Sequence, residues 1–217
     1  MCFINCHLAA GQRQRRQRDQ DLVDILEDKS GFSELETVAP GAYTCGGQGK
    51  SIFDHELVFL SGDLNYRIDE RRDTVVKAVE DGRLEPLLAK DQLLRSMSTN
   101  PAHRLRSFKE APITFAPTYK YDPGTTEYDT SGKKRIPAWC DRCVYRSDTP
   151  KKITPLHYQR YEAKVSDHRP VSAAFSMRIK RIDPVQRAIV AKELEQDWLD
   201  VEADLIAEAV AYYGAMP

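Results

Sequence analysis

Leu57 to Ser61 forms a short apolar run closed by Gly62, and Asp63-Leu64-Asn65 follows at once. A run so short and so apolar, bounded by glycine, predicts a buried strand that hands its polar residues to one end. Further short runs have the same character: Met1 to Leu8, Ile113 to Phe115, Cys143 to Tyr145, one ending at Val165, and Val171 to Phe175. Helical periodicity lies between them, over Gln12 to Lys29, Arg71 to Asp81 and Leu84 to Arg95, with Gly31 and Gly82 placed to stop the first two. Strands alternating with helices predict an α/β domain.

A polar segment from Asp122 to Lys134 separates two of the strands. Asp183-Pro184 then starts a different kind of element. Val185, Ile189, Leu194, Trp198, Val201, Leu205 and Ala209 recur at mostly three- and four-residue steps, which predicts a long amphipathic helix over 183–214 with an acidic outer face. Its apolar face packs either on its own domain or on a protein partner. The expected division is thus a domain over 1–179 and a helical tail.

With 32 basic and 33 acidic residues the formal charge is only −1, so overall charge says nothing about nucleic acid. No run of eighteen apolar residues exists and Met1-Cys2-Phe3-Ile4-Asn5 lacks the character of a signal peptide, so the expected location is cytoplasmic. Five cysteines then read as free thiols, with Cys140 and Cys143 as ordinary thiols rather than half a zinc site. Gly46-Gly47-Gln48-Gly49-Lys50-Ser51 is not a phosphate loop, because Thr44 stands where the motif needs glycine. Arg13, Arg15, Arg16 and Arg18 open the first helix as a solvated basic face or as an attraction to phosphate groups and anionic membrane.

Four stretches carry candidate chemistry: Asn5 to Gly11, Gly62 to Arg67, Pro137 to Arg142 and Ser166 to Pro170. Phosphoester hydrolysis needs an oriented water and cations for the phosphoryl oxygens, often with a metal. Asp63 and Asn65, two apart at a strand end, are expected to project to one side, one orienting water and the other meeting the phosphate. His168 needs a carboxylate to fix its tautomer, and Asp141 is the candidate. Tyr119-Lys120 and Lys133-Lys134-Arg135 bracket a loop and are placed either to grip a second phosphate or to form a solvated loop. Each stretch alone also reads as a turn, a surface histidine or a core histidine.

Together, FINCHLAAG, FLSGDLNYRID, ITFAPTYKYD, KKRIPAWCDR and SDHRPV, spread from residue 3 to 171, resemble the inositol polyphosphate 5-phosphatases of the endonuclease/exonuclease/phosphatase superfamily. The resemblance implies a DNase I-like sandwich of two β-sheets flanked by helices. It implies that Asp63 and Asn65 orient the attacking water and bind the scissile phosphate, that His168 supported by Asp141 acts at the same centre, and that His7 contacts the phosphate in transfer. Asp167 falls on the metal side of the site, and Arg142 counts among the substrate-binding residues by supporting the substrate loop. Tyr119, Lys120, Lys133 and Arg135 match positions that read an inositol 4-phosphate, which makes a 4,5-bisphosphate the expected substrate. Cys6, Ala111 and Cys143-Val144 depart from commoner residues in ways that suit strand packing.

The asparagine and glutamate that bind Mg2+ in such enzymes precede the His7 motif, and nothing in this sequence supplies them. The expectation is therefore a C-terminal portion of a catalytic domain, with the first part missing and weak or no activity on its own. Expected partners are a phosphoinositide or inositol polyphosphate and, transiently, an anionic membrane surface, with no nucleic acid. A nuclease of the same superfamily and a non-catalytic binding fragment are the alternatives.

Overall fold

The buried run at Leu57 to Leu60 becomes the centre of a sheet. In a computed structural model, which describes residues 1–28, 51–181 and 183–214, β2 (Leu57–Asp63) has all four of these side chains buried. β1 (Cys2–His7) lies parallel to it on one side and β4 (Asp141–Ser147) antiparallel on the other, with β3 (Lys109–Glu110) beyond β4. A second sheet pairs β5 (Ile153–Arg160) with β6 (Val171–Met177).

Period two divides the side chains of β2 between two cores. Leu57 and Phe59 join Tyr145, Ile153, Phe175 and Met177 between the sheets. Val58 and Leu60 point the other way, into a cluster with Leu22 and Leu26 of α1 (Arg15–Glu27) and Leu93 of α4 (Gln92–Thr99). Helix α2 (Arg72–Glu80) and the single turn α3 (Glu85–Leu88) give Val75, Ala78 and Leu87 to a third cluster around Trp139. At about 25 cal/mol per Å2 of apolar surface removed from water, covering β2 on both faces stabilises this sheet.

Several expected boundaries move. β1, expected as a buried strand, pairs with β2 but is half exposed: Cys2 is 7% exposed and Phe3 71%. The stretch from Leu84 to Arg95 is two helices, because Asp91 is extended and caps α4 by accepting from Leu94 N–H at 2.9 Å. Ile113 to Phe115 is no strand. Pro112 and Pro117 flank it and remove ladder donors, and pairing occurs at Lys109–Glu110 instead. β5 stops at Arg160, opposite Val171, so Val165 lies outside it and is 92% exposed.

Arg18 is not part of a solvated basic face. It is fully buried, donating to the carbonyls of Ala9 at 3.0 Å and Gly11 at 2.7 Å and to Gln92 Oε1 at 2.6 Å. The Gly31 stop and Gly46 to Lys50 of the glycine-rich stretch lie outside the described residues. By spatial clustering the chain divides into two units, Met1–Arg178 and Ile179–Pro217. The second contains α5 (Pro184–Gly214), whose first turn is capped by Asp183 through the N–H groups of Val185 and Gln186. Among the described residues no helix is long and apolar enough to cross a membrane.

Candidate active site

Strand register brings the first three site residues together. His7 of β1 is the lateral partner of Asp63 in β2, and Asp63 is the lateral partner of Asp141 in β4, so all three stand in one row at the end of the sheet. Gly62 makes this approach possible. Its φ is +134°, and a Cβ there would lie 2.0 Å from the carbonyl oxygen of Cys6.

Ser166 to Pro170 arrives at the same place through isolated backbone pairing of Tyr119 with both Ala138 and His168. His168 Nδ1 then lies 2.9 Å from Asp141 Oδ2, which fixes the imidazole with Nε2 towards Asp63, 4.0 Å from its Oδ2. His7 Nε2 is 3.4 Å from the same Asp63 oxygen and is largely exposed. Two imidazoles therefore flank one carboxylate oxygen. Burial lowers the pKa of His168, but the Asp141 hydrogen bond and the charges of Asp141, Asp63 and Asp167 outweigh it and hold the imidazole above its ordinary range. Burial and the nearby Asp141 charge push the Asp63 carboxyl up, against the opposing pull of His168, the Asn65 N–H and His7.

Asn65 reaches the site differently from a period-two strand residue. β2 ends at Asp63, and Asn65 has a φ of +54°, with its N–H donating to Asp63 Oδ1 at 3.0 Å. Its buried amide donates to the carbonyl of Leu8 at 3.0 Å and accepts from the Arg67 guanidinium, so both of its ends are oriented. Arg67 also lies over the Tyr119 ring, 4.5 Å from its centroid, and that ring packs on His168 at 4.7 Å. Sequence reasoning quoted Arg67 without giving it a role and passed over Thr118, whose hydroxyl donates to Asp141 Oδ2 at 2.6 Å. Nothing local distinguishes that threonine from a strand residue; only the fold puts it behind Asp141.

Arg142 is a correction. As a substrate residue it would need an accessible guanidinium, but it is 2% exposed. It donates through Nε and Nη2 to Glu110 at 2.7 and 2.5 Å and through Nη1 to Asp91 at 3.0 Å, joining β4 to β3 and α4. One residue further along the strand than Asp141, it faces the interior by the same alternation that presents Asp141 to the site.

Lys120 and Asp167 pair with each other at 3.1 Å, and Lys133 and Arg135 are exposed on the loop that follows β-bridged Tyr128. Asp167 carries the metal-side expectation, and its carboxylate is taken by Lys120. Among the described residues no three His, Cys, Asp or Glu side chains converge to hold a metal ion. Cys140 is buried and Cys143 half-buried, both as free thiols, and burial raises the Cys143 pKa to about 11.

Two sheets with helices on the outside, and an acid–imidazole row at one sheet end, define the DNase I-like class of α/β proteins. The chain belongs to endonuclease/exonuclease/phosphatase family 2, whose sequence model matches residues 1–174. It is 42% identical to a probable inositol polyphosphate 5-phosphatase of Schizosaccharomyces pombe over 98% of this chain, and 36% identical to the human phosphatidylinositol 4,5-bisphosphate 5-phosphatase A over 95%. It spans 18% and 20% of the length of those relatives.

The crystal structure of the inositol polyphosphate 5-phosphatase domain of SPsynaptojanin, in complex with inositol (1,4)-bisphosphate and a calcium ion, matches with a TM-score of 0.70 and 38% identity, covering 93% of this chain and 54% of that one. A Cimex nitrophorin, solved as a ferrous NO complex, matches with a TM-score of 0.53 and 33% identity over 60% of this chain and 45% of that one.

Proposed function

We propose that the chain carries the water-activating and substrate-reading residues of a phosphoric monoester hydrolase that removes the 5-phosphate from phosphatidylinositol 4,5-bisphosphate or a related inositol polyphosphate. The observation that supports this most directly is the row His7, Asp63, Asp141 completed by His168. In this reading Asp63 Oδ2 takes the hydrogen bond of the attacking water and receives its proton as the oxygen approaches phosphorus. His168, its Nδ1–H donated to Asp141, carries positive charge towards the phosphoryl oxygens from Nε2. His7, exposed beside Asp63, meets the same phosphoryl group. Asn65, held at both ends of its amide and donating its backbone N–H to Asp63, takes the place of the residue that meets the scissile phosphate in the resembling enzymes.

Tyr119, Lys120, Lys133 and Arg135 grip a second phosphate on the inositol ring, the 4-phosphate in the resembling enzymes. Mg2+ dependence belongs to the same proposal, with metal-binding oxygens coming from outside the described residues. When bound, such an ion would neutralise phosphoryl charge. A cytoplasmic chain visiting anionic membrane through the exposed Arg13 and Arg16, with a protein partner for α5, completes the proposal.

The lack of a metal cluster among the described residues favours one second reading, a non-catalytic inositol phosphate-binding module. Phosphate release separates the two. The chain and its Asp63→Ala variant are assayed with Mg2+ on inositol 1,4,5-trisphosphate and on vesicles containing phosphatidylinositol 4,5-bisphosphate. Release abolished by Asp63→Ala supports the hydrolase. Binding without release supports the module, and cleavage of DNA or RNA in place of either substrate supports a nuclease.

A further inference from the structure

The two segments offered for the second phosphate, Tyr119-Lys120 and Lys133 to Arg135, are joined through one buried residue that neither motif includes, its backbone N–H on the first and its carboxylate on the second. Asp129 is 1% exposed. Its N–H donates to the Lys120 carbonyl at 2.9 Å, and its carboxylate accepts the N–H of Ser131 at 3.1 Å and that of Arg135 at 2.7 Å. Its own carbonyl accepts from Arg72 Nη2 of α2 at 3.0 Å. A single residue thus fixes the backbone of one cationic segment to that of the other and ties both to a helix.

The carboxylate is used on backbone N–H groups, so the Lys133 ammonium and the Arg135 guanidinium stay exposed and available to an anion. Lys134 between them holds a φ of +41°, a conformation a lysine keeps only where its surroundings impose it. Burial raises the Asp129 pKa, but the hydrogen bonds from Ser131 and Arg135 and the Lys120 charge outweigh it, so the acid stays ionised. Two long cations on an untethered loop would repel each other and lose more rotamer and backbone freedom on meeting a phosphate; a pre-formed loop removes most of that cost.

We infer that Asp129 is a positioning residue for substrate selectivity: it sets the spacing between Lys120 and the Lys133–Arg135 edge, and so decides whether an inositol phosphate carrying a second phosphate is preferred over one that lacks it. This deepens the proposed function and rests on it for the identity of the ligand. The residue touches no reacting atom.

The test titrates the full chain, Asp129→Ala and Asp129→Asn with inositol 1,4-bisphosphate and with inositol 1-phosphate by calorimetry. Trypsin cutting after Lys133, Lys134 and Arg135 is followed on the same samples. Asp129→Ala should weaken the bisphosphate about tenfold and leave the monophosphate within about twofold. Asp129→Asn, with one oxygen left to accept one of the two N–H groups, should fall between. Cutting at the three loop sites should accelerate in the same order while cutting elsewhere is unchanged. An equal loss on both ligands, no loss on either, an unchanged loop digest, or a wild-type chain without preference for the bisphosphate overturns the inference. Phosphate release is measured in parallel on inositol 1,4,5-trisphosphate: a wild-type chain that prefers the bisphosphate but releases nothing counts against this chain as a hydrolase on its own and leaves the role of Asp129 standing.

Discussion

Replacing Arg142 with methionine should be among the most damaging single changes in the first unit, and it should do so without touching the site chemistry. The guanidinium stands between Asp91 and Glu110, and the three side chains are 0%, 0% and 4% exposed. Methionine fills much of the volume but leaves two buried carboxylates without their cation. At about 4 Å and an effective dielectric near 20, each lost attraction is of order 4 kcal/mol. Partial relaxation and water entry reduce the sum, and measured losses on breaking buried pairs are about 3–5 kcal/mol.

For a domain of this size that is a fall of roughly 10 °C in Tm, or close to 2 M in a urea midpoint. Chemical denaturation followed by circular dichroism reads it directly. The companion is the triple variant Arg142→Met, Asp91→Asn, Glu110→Gln, in which asparagine still caps α4 and glutamine still accepts from Tyr158, whose hydroxyl donates to Glu110 at 2.9 Å. It should regain most of the loss. A single-variant loss under about 1 kcal/mol, or a triple variant no better than the single, would refute the buried-charge argument. Well below the midpoint, Arg142→Met should leave KM within about twofold, since the side chain meets no substrate.

Gly62→Ala should lose about 3 kcal/mol or more, because the new Cβ meets the Cys6 carbonyl and the φ is one that only glycine adopts freely; a urea midpoint checks it. Asp63→Asn should abolish phosphate release yet raise the midpoint at neutral pH, since a carboxyl with a raised pKa is held ionised there at a cost. For His168, whose folded pKa lies above the unfolded 6.5, the native state binds the extra proton between the two values. Its contribution is therefore full below 6.5 and lost as pH rises through the folded pKa. A pH series of urea midpoints should show this decline in the wild type and a flatter profile in His168→Asn.

Elements whose signal is local were legible in the sequence. The Leu57 run, the α2 periodicity closed by Gly82 and the Asp183-Pro184 start of α5 each carry their own pattern, and each forms. Ile113 to Phe115 misled because it has strand composition between two prolines, where composition is outweighed by missing donors. The Leu84 to Arg95 break depended on Asp91, which serves at once as a cap and as a partner of a residue 51 positions away. At the site, the row of His7, Asp63 and Asp141 follows from motifs placed at strand ends. Thr118, Arg67 and Asp129 were not assigned roles, because their importance lies in partners that only the folded chain brings near. Arg142 was misassigned for a related reason: its neighbour faces the site, and alternation turns it inward.

The lateral alignment of His7, Asp63 and Asp141 makes the site an indel detector. A residue gained or lost anywhere within Cys2–His7 or Asp141–Ser147 would rotate that strand's end residue to the opposite face and separate it from Asp63. Point changes in these strands can be absorbed by repacking, whereas a length change keeps the row only if a bulge takes it up, as the register shift between Pro155 and His157 does in β5. Across the lineages that carry this domain, strand lengths should be held as tightly as the site residues themselves, with the variation in length confined to the connections.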